Sequence, residues 1–225
     1  MTYLLFMLPA LILSFYAQSK VKSTFHRYSQ IRASRGYTGA QVASTILRNN
    51  GIGSDVKIEK ASGTLTDHYD PRSHTVKLSQ SVYDDQSIAA IGVAAHEVGH
   101  AIQHSQSYGP LALRHKIVPL TNIASSASFP VIFVGFILQS MNLILVGVIL
   151  FSIVVLFHLV TLPVELNASR RAIIQLSDTG LVSAEELPGV KRVLSAAAFT
   201  YVAATLSSVA TLLYYLTFFL GRDDS

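Results

Sequence analysis

One feature constrains this chain more than any other. Residues 143–162 (LILVGVILFSIVVLFHLVTL) form a single apolar run with no Asp, Glu, Lys or Arg. As a helix, such a run rises about 30 Å, the thickness of a bilayer's hydrocarbon layer. A helix apolar on every face needs lipid or a large core around it, so the run predicts a membrane span. Residues 196–220 form a second strong run. Two weaker ones lie at 2–19, which contains Pro9, and at 117–138, which contains Asn122 and Pro130. Composition agrees: of 225 residues, 50% are hydrophobic and 13% charged, against about 25% charged in soluble domains. These figures exclude a disordered chain and an ordinary soluble enzyme. The net charge of +4 reads as a topology signal, not a nucleic-acid footprint. The expected partner is therefore the lipid bilayer, with no nucleic acid.

Charge placement orients the spans. No Lys or Arg precedes the first run, while Lys20, Lys22, Arg27, Arg32 and Arg35 follow it. That pattern predicts an uncleaved anchor over residues 1–19 with its N-terminus outside. Counting crossings then puts 20–116 in the cytoplasm, makes 117–162 a membrane hairpin with a short outer loop near 139–142, returns 163–195 to the cytoplasm, and ends with a span and short tail over 196–225. Of the 17 basic residues, only Arg222 falls outside. The fold class expected is a mainly α membrane protein of about four transmembrane helices, with a small α+β cytoplasmic part.

Within the water-facing part, residues 37–50 read as a helix with Thr38 as N-cap and Gly51 as stop. Residues 56–58 and 75–78 read as short strands, with turn chemistry around Asp70 and Pro71 between them. Residues 75–79 could be an edge strand that pairs with an extended substrate. Asp84 and Asp85 then precede an alanine-rich helix from Ser87 to about His104, acids that suit a helix N-terminus.

That helix carries His96-Glu97-Val98-Gly99-His100, an HExxH pattern. Positions i and i+4 share a helical face, so both imidazoles reach one ion, and the glutamate beside them can act on a water held there. The chain has no cysteine, so a metal must use His, Asp or Glu; zinc suits two neutral imidazoles. Glu97 is the expected catalytic base, His96 and His100 the expected ligands, and one Zn2+ per chain the expected cofactor. The alternative is a buried His–Glu–His polar cluster or a pair of surface histidines.

A catalytic zinc wants a third protein ligand. His104 cannot join His96 and His100 on a straight helix, because the outer two lie about 12 Å apart along the axis; it reads as packing or support around the site. A metzincin ligand six residues after His100 would fall on Gln106, with Gln103 where that pattern needs glycine. Glu165, in LPVELNASRRA just past the third run, is the better candidate. Two spans separate it from His100, which returns the chain to the same membrane face. Pro163 fits the first turn of a new helix with Glu165 at its N-terminal end. A glutamate that merely complements that helix end is the alternative.

HEVGHAIQH, LPVELNASRRA and LTDHYDPRSHTVKLS together resemble the YugP-like neutral zinc metallopeptidases, bacterial membrane proteins, over about residues 1–220. The resemblance implies a zinc-dependent endopeptidase of the bacterial cytoplasmic membrane, with a zincin-like metalloprotease as its α+β part and a protein or peptide as its substrate. His96 and His100 would be ligands, Glu97 the acid/base, and Glu165 the acidic position after the hairpin. The arrangement is also similar to HtpX-type membrane proteases, where an aspartate follows four residues after the third ligand. Here Ser169 stands at that place, which leaves Asn167, His104 and Asp178 as substitutes to support a ligand histidine. Arg170 and Arg171 are candidates for an oxyanion or substrate contact, or simply a positive-inside flank. Tyr108, Tyr201 and His158 are candidate transition-state donors by type. His26, His68, His74 and His115 read as surface residues. Two rival functions stand beside peptide hydrolysis at the membrane surface: a non-hydrolytic metal-binding scaffold or regulator, and a protease cutting within the bilayer.

Overall fold

The computed structural model describes residues 2–220, with side chains for 7–217. Seven helices and three strands follow in the order α1 (Thr2–Ser29), α2 (Gly39–Asn49), β1 (Lys57–Ala61), β2 (His68–Asp70), β3 (Thr75–Ser79), α3 (Gln80–Tyr83), α4 (Ile88–Ser105), α5 (Gly109–Ile137), α6 (Met141–Asp178) and α7 (Leu187–Leu220). Among the described residues, three helical segments are long and apolar enough to cross a membrane: Gly109–Ile137, Met141–Asp178 and Leu187–Thr217. The side chains of residues 1–6 lie outside those described, and so does that part of the expected N-terminal anchor. The expected outer tail, 221–225, lies outside them too.

α5 and α6 form the expected hairpin, joined by residues 138–140 with Gln139 at φ +50°. Their approach depends on small residues: a Cβ on Gly147 would meet the Ile132 side chain and lie 3.0 Å from the Ser128 carbonyl. With no water to be released between apolar helices in lipid, close packing of this kind holds them together. All three helices run past their apolar stretches.

α6 corrects one expectation. Pro163 does not open a new helix; it lies inside one helix of 38 residues. Proline there forfeits one i to i−4 hydrogen bond, and the exposed ring faces away from the packed side of α6. Glu165 is therefore a mid-helix residue, and complementing a helix N-terminus does not explain it.

α4 is the centre of the water-facing part. Its alanines and glycines let α2, β3, α6 and α7 approach it closely, and Val42, Ile46, Val76, Leu78, Ile91, Val98, Leu176 and Val190 fill one core. Ser87 caps it, accepting from the Ala90 N–H at 3.2 Å. The preceding acids do not enter its first turn. Asp85 instead accepts from the Ser87 N–H at 3.0 Å, and Asp84 pairs with Lys60 at 2.8 Å. α2 has its expected start, with a capping box between Thr38 and Gln41. The Gly51 stop adopts φ +72°.

The sheet has the order β1-β3-β2, with β1 parallel and β2 antiparallel to β3. Residues 75–79 therefore form the buried central strand and cannot add a substrate strand. The two edges are β1 and β2, and β2 comes from the segment read as a turn. Its three residues were too few for a periodic signal.

Candidate metal centre

α4 and α6 cross where Gly99 faces Ala168. A Cβ on Gly99 would stand 2.6 Å from the Ala168 carbonyl oxygen, so the motif's glycine sets how near the helices come. The crossing brings His96 and His100 against Glu165. The Glu165 Oε2 lies 3.2 Å from His96 Nε2 and 3.4 Å from His100 Nε2. The two rings meet edge to face at 4.8 Å. One ligand atom from each residue falls within 4.8 Å of the others, a group that could hold a metal ion.

The surroundings aim these atoms. Gln103 is fully buried, and its amide nitrogen donates to the Val164 carbonyl at 2.8 Å and to Asn167 Oδ1 at 3.0 Å. A carbonyl can only accept, so the Gln103 amide oxygen must face His100 Nδ1, 3.0 Å away. That oxygen holds the proton on Nδ1 and leaves the Nε2 lone pair towards the cluster. Ser169 Oγ lies 3.1 Å from His96 Nδ1, a hydroxyl able to accept its proton when Nε2 serves the cluster. Arg114 Nη1 donates to Glu165 Oε1 at 3.0 Å, leaving Oε2 to the histidines. Two imidazole nitrogens and one carboxylate oxygen, each fixed from behind, are a donor set that fits zinc with a position left open.

Glu97 is 8% exposed and lines the same cleft as the histidines. Burial pushes its carboxyl up to about 7; the neighbouring His96 and the Tyr69 backbone N–H pull the other way. A group titrating near neutrality can both take and return a proton. The cleft has a volume of about 510 Å3, and Tyr69, Arg72, Arg114, His115 and Tyr201 are among its lining residues.

The other candidates fall as follows. Asn167 does not touch a ligand histidine; it accepts from Gln103 and, at 2.7 Å, from Arg171 Nε. His104 lines the cleft but its Nδ1 pairs with the Tyr69 hydroxyl at 2.8 Å. Asp178 is exposed at the far end of α6, thirteen residues or about 20 Å along the axis from Glu165. Arg170 is exposed and does not line the cleft. Arg171 is spent on Asn167 and on Gln106 Oε1 at 2.6 Å, with its guanidinium over the Tyr108 ring. Tyr201 lines the cleft, whereas Tyr108 and His158 do not. His68 and His115, read as surface residues, line it too.

Sequence reasoning missed Gln103, Arg114 and the direct part taken by Ser169. Gln103 carried a faint signal, an amide three residues beyond His100 in an otherwise apolar helix. Arg114 carried none, because it looked like one more charge flanking a span.

A family model described as "Putative neutral zinc metallopeptidase" matches residues 3–220. The sequence is 53% identical over 227 residues to the "Putative membrane protease YugP" of Bacillus subtilis (strain 168), with the whole of each chain covered. No solved structure matches.

Proposed function

The chain belongs to the neutral zinc metallopeptidase family, and on that premise we propose that it is a membrane-embedded zinc-dependent endopeptidase. It hydrolyses peptide bonds of membrane or membrane-proximal proteins at the cytoplasmic face of the bacterial membrane, with residues 1–19 as a fourth span. The observation that carries this reading is the convergence of His96 Nε2, His100 Nε2 and Glu165 Oε2, with the buried Glu97 beside them in one cleft.

His96, His100 and Glu165 would hold one zinc per chain. When bound, zinc supplies Lewis-acid polarisation of the scissile carbonyl and makes the attacking water more acidic. Glu97 takes the proton of that water and delivers it to the leaving amine. Arg114 holds Glu165 Oε1 and leaves Oε2 to the histidines, Gln103 fixes the tautomer of His100, and the Ser169 hydroxyl can accept from His96 Nδ1. β2 offers the backbone edge against which an extended peptide can lie, in place of residues 75–79. A scaffold role is less well supported, since a structural zinc closes its fourth position and needs no adjacent base.

The test is bound zinc by elemental analysis, alongside cleavage of an unfolded protein substrate. Wild type should carry about one zinc and Glu165→Ala far less. Glu97→Gln should keep the metal and lose about a thousandfold in rate, the usual order for a general base. Equal zinc in wild type and Glu165→Ala removes Glu165 from the ligand set. Hydrolysis undiminished in Glu97→Gln removes the base.

One observation favours a second reading, cleavage within the bilayer: Tyr201 and Val118, both from candidate spans, line the cleft. Against it, α4 runs only from Ile88 to Ser105, short for a span.

A further inference from the structure

A second cleft, of about 340 Å3, opens between the end of α1 and the start of α7 and shares no lining residue with the first. Four cations line it: Lys20 and Arg27 from α1, Lys191 and Arg192 from α7. No acidic side chain lines it, and none of the four cations forms an ion pair among the described residues. Gathering four like charges around one space is unfavourable unless an anion or solvent screens them. Arg192 is also held in place, because its Nη1 donates to the buried Tyr28 hydroxyl at 3.1 Å. Ser195 adds a neutral hydroxyl to the lining.

The cleft sits at a defined height. The Lys20 ammonium lies 5.0 Å from the Phe199 ring centre and 5.6 Å from that of Tyr16. Those two rings meet edge to face at 5.9 Å. Aromatic rings at the end of an apolar helix mark the headgroup level of a bilayer. Earlier along α1 than the cations, Leu8, Leu11, Ile12 and Phe15 are exposed, a surface that suits acyl chains. A positive-inside flank accounts for basic residues near a span. It does not account for cations from segments 164 residues apart converging on one acid-free space above one apolar strip.

We propose that this cleft binds the headgroup phosphate of an anionic phospholipid. Lys20, Arg27, Lys191 and Arg192 surround the phosphate, and the acyl chains run down the exposed apolar side of α1. The site is independent of the hydrolytic reading. It has a consequence for that reading, because α7 carries Tyr201 into the metal cleft nine residues beyond Arg192, about 14 Å along the axis. A lipid clamped between α1 and α7 would fix the depth at which the metal cleft meets the membrane.

The test is native mass spectrometry of the full-length chain released from micelles that contain equal phosphatidylglycerol and phosphatidylcholine. Wild type should retain phosphatidylglycerol in preference. The preference should fall about thirty-fold in Lys20→Gln/Lys191→Gln, the product expected for two lost cations at a lipid surface. Arg48→Gln/Lys57→Gln, an equal charge loss elsewhere, should leave it unchanged. Equal retention of the two lipids by wild type overturns the proposal, and that comparison needs no variant to fold. An equal loss in the Arg48/Lys57 pair overturns it as non-specific charge. Displacement of phosphatidylglycerol by millimolar inorganic phosphate overturns the lipid as the source of the phosphate.

Discussion

At the scale of single residues, the centre depends on groups that touch no metal ion. Gln103 decides which nitrogen of His100 is free, and it can do so only because Val164 and Asn167 occupy its amide nitrogen. Gln103→Leu keeps the volume and removes that choice. Zinc affinity should fall about 10- to 100-fold, the usual cost of losing such support, as read by competition with a chromophoric chelator. Glu97 makes a separate prediction for the metal-free protein. Its carboxyl is raised by burial to about 7, above the ordinary 4.5, so the folded state prefers the neutral form. Below pH 4.5 it costs nothing; the cost grows through the window from 4.5 to 7 and is complete above it, about 3 kcal/mol. Metal-free Glu97→Gln should therefore match wild type near pH 4 and exceed it in unfolding stability at pH 8. A stability difference that does not change with pH would mean that Glu97 is not held neutral by burial.

At the scale of elements, the crossing of α4 and α6 controls the site. Gly99→Ala would push a methyl against the Ala168 carbonyl, and a rigid backbone cannot yield as a side chain can. Overpacking of this kind costs about 1–3 kcal/mol. Here it should also part His96 and His100 from Glu165, so that zinc content and unfolding temperature fall together in Gly99→Ala. A drop in stability with zinc unchanged would show that the crossing does not set the ligand spacing. The same elements explain what the sequence made legible. The i, i+4 histidines needed only helical geometry, and Thr38 and Gly51 were readable because caps and stops are local. Glu165 was readable by elimination and crossing parity, although Pro163 suggested the wrong local setting, since packing around α6 outweighs one lost hydrogen bond. β2 was not readable, because a three-residue strand is defined by its partner β3. Arg114 and Gln103 were not singled out, since their roles exist only once α5 and α6 lie against α4.

At the scale of the molecule, the candidate metal centre joins residues on either side of the α5–α6 hairpin, two helices long and apolar enough to cross a membrane. His96 and His100 precede α5, and Glu165 follows the apolar part of α6, so an even number of crossings separates them, as their meeting on one face requires. In the proposed topology that parity puts the centre at one membrane surface, and charge then chooses which. Lys20, Arg27, Arg170, Arg171, Lys191 and Arg192 all flank the apolar stretches on the side of the centre, and the positive-inside bias is why the proposed topology makes that side cytoplasmic. The chain has no cysteine, so a single introduced thiol reports its own side without background. Ser105 is exposed at the end of α4, clear of the helix's buried face. In Ser105→Cys, a membrane-impermeant maleimide should label inverted vesicles and leave intact spheroplasts unlabelled. Labelling of intact spheroplasts instead would invert the whole topology. The cluster would survive unchanged, but its substrates would then have to come from outside the membrane, and the proposal of a cytoplasmic protease would fall while that of a metal centre stood.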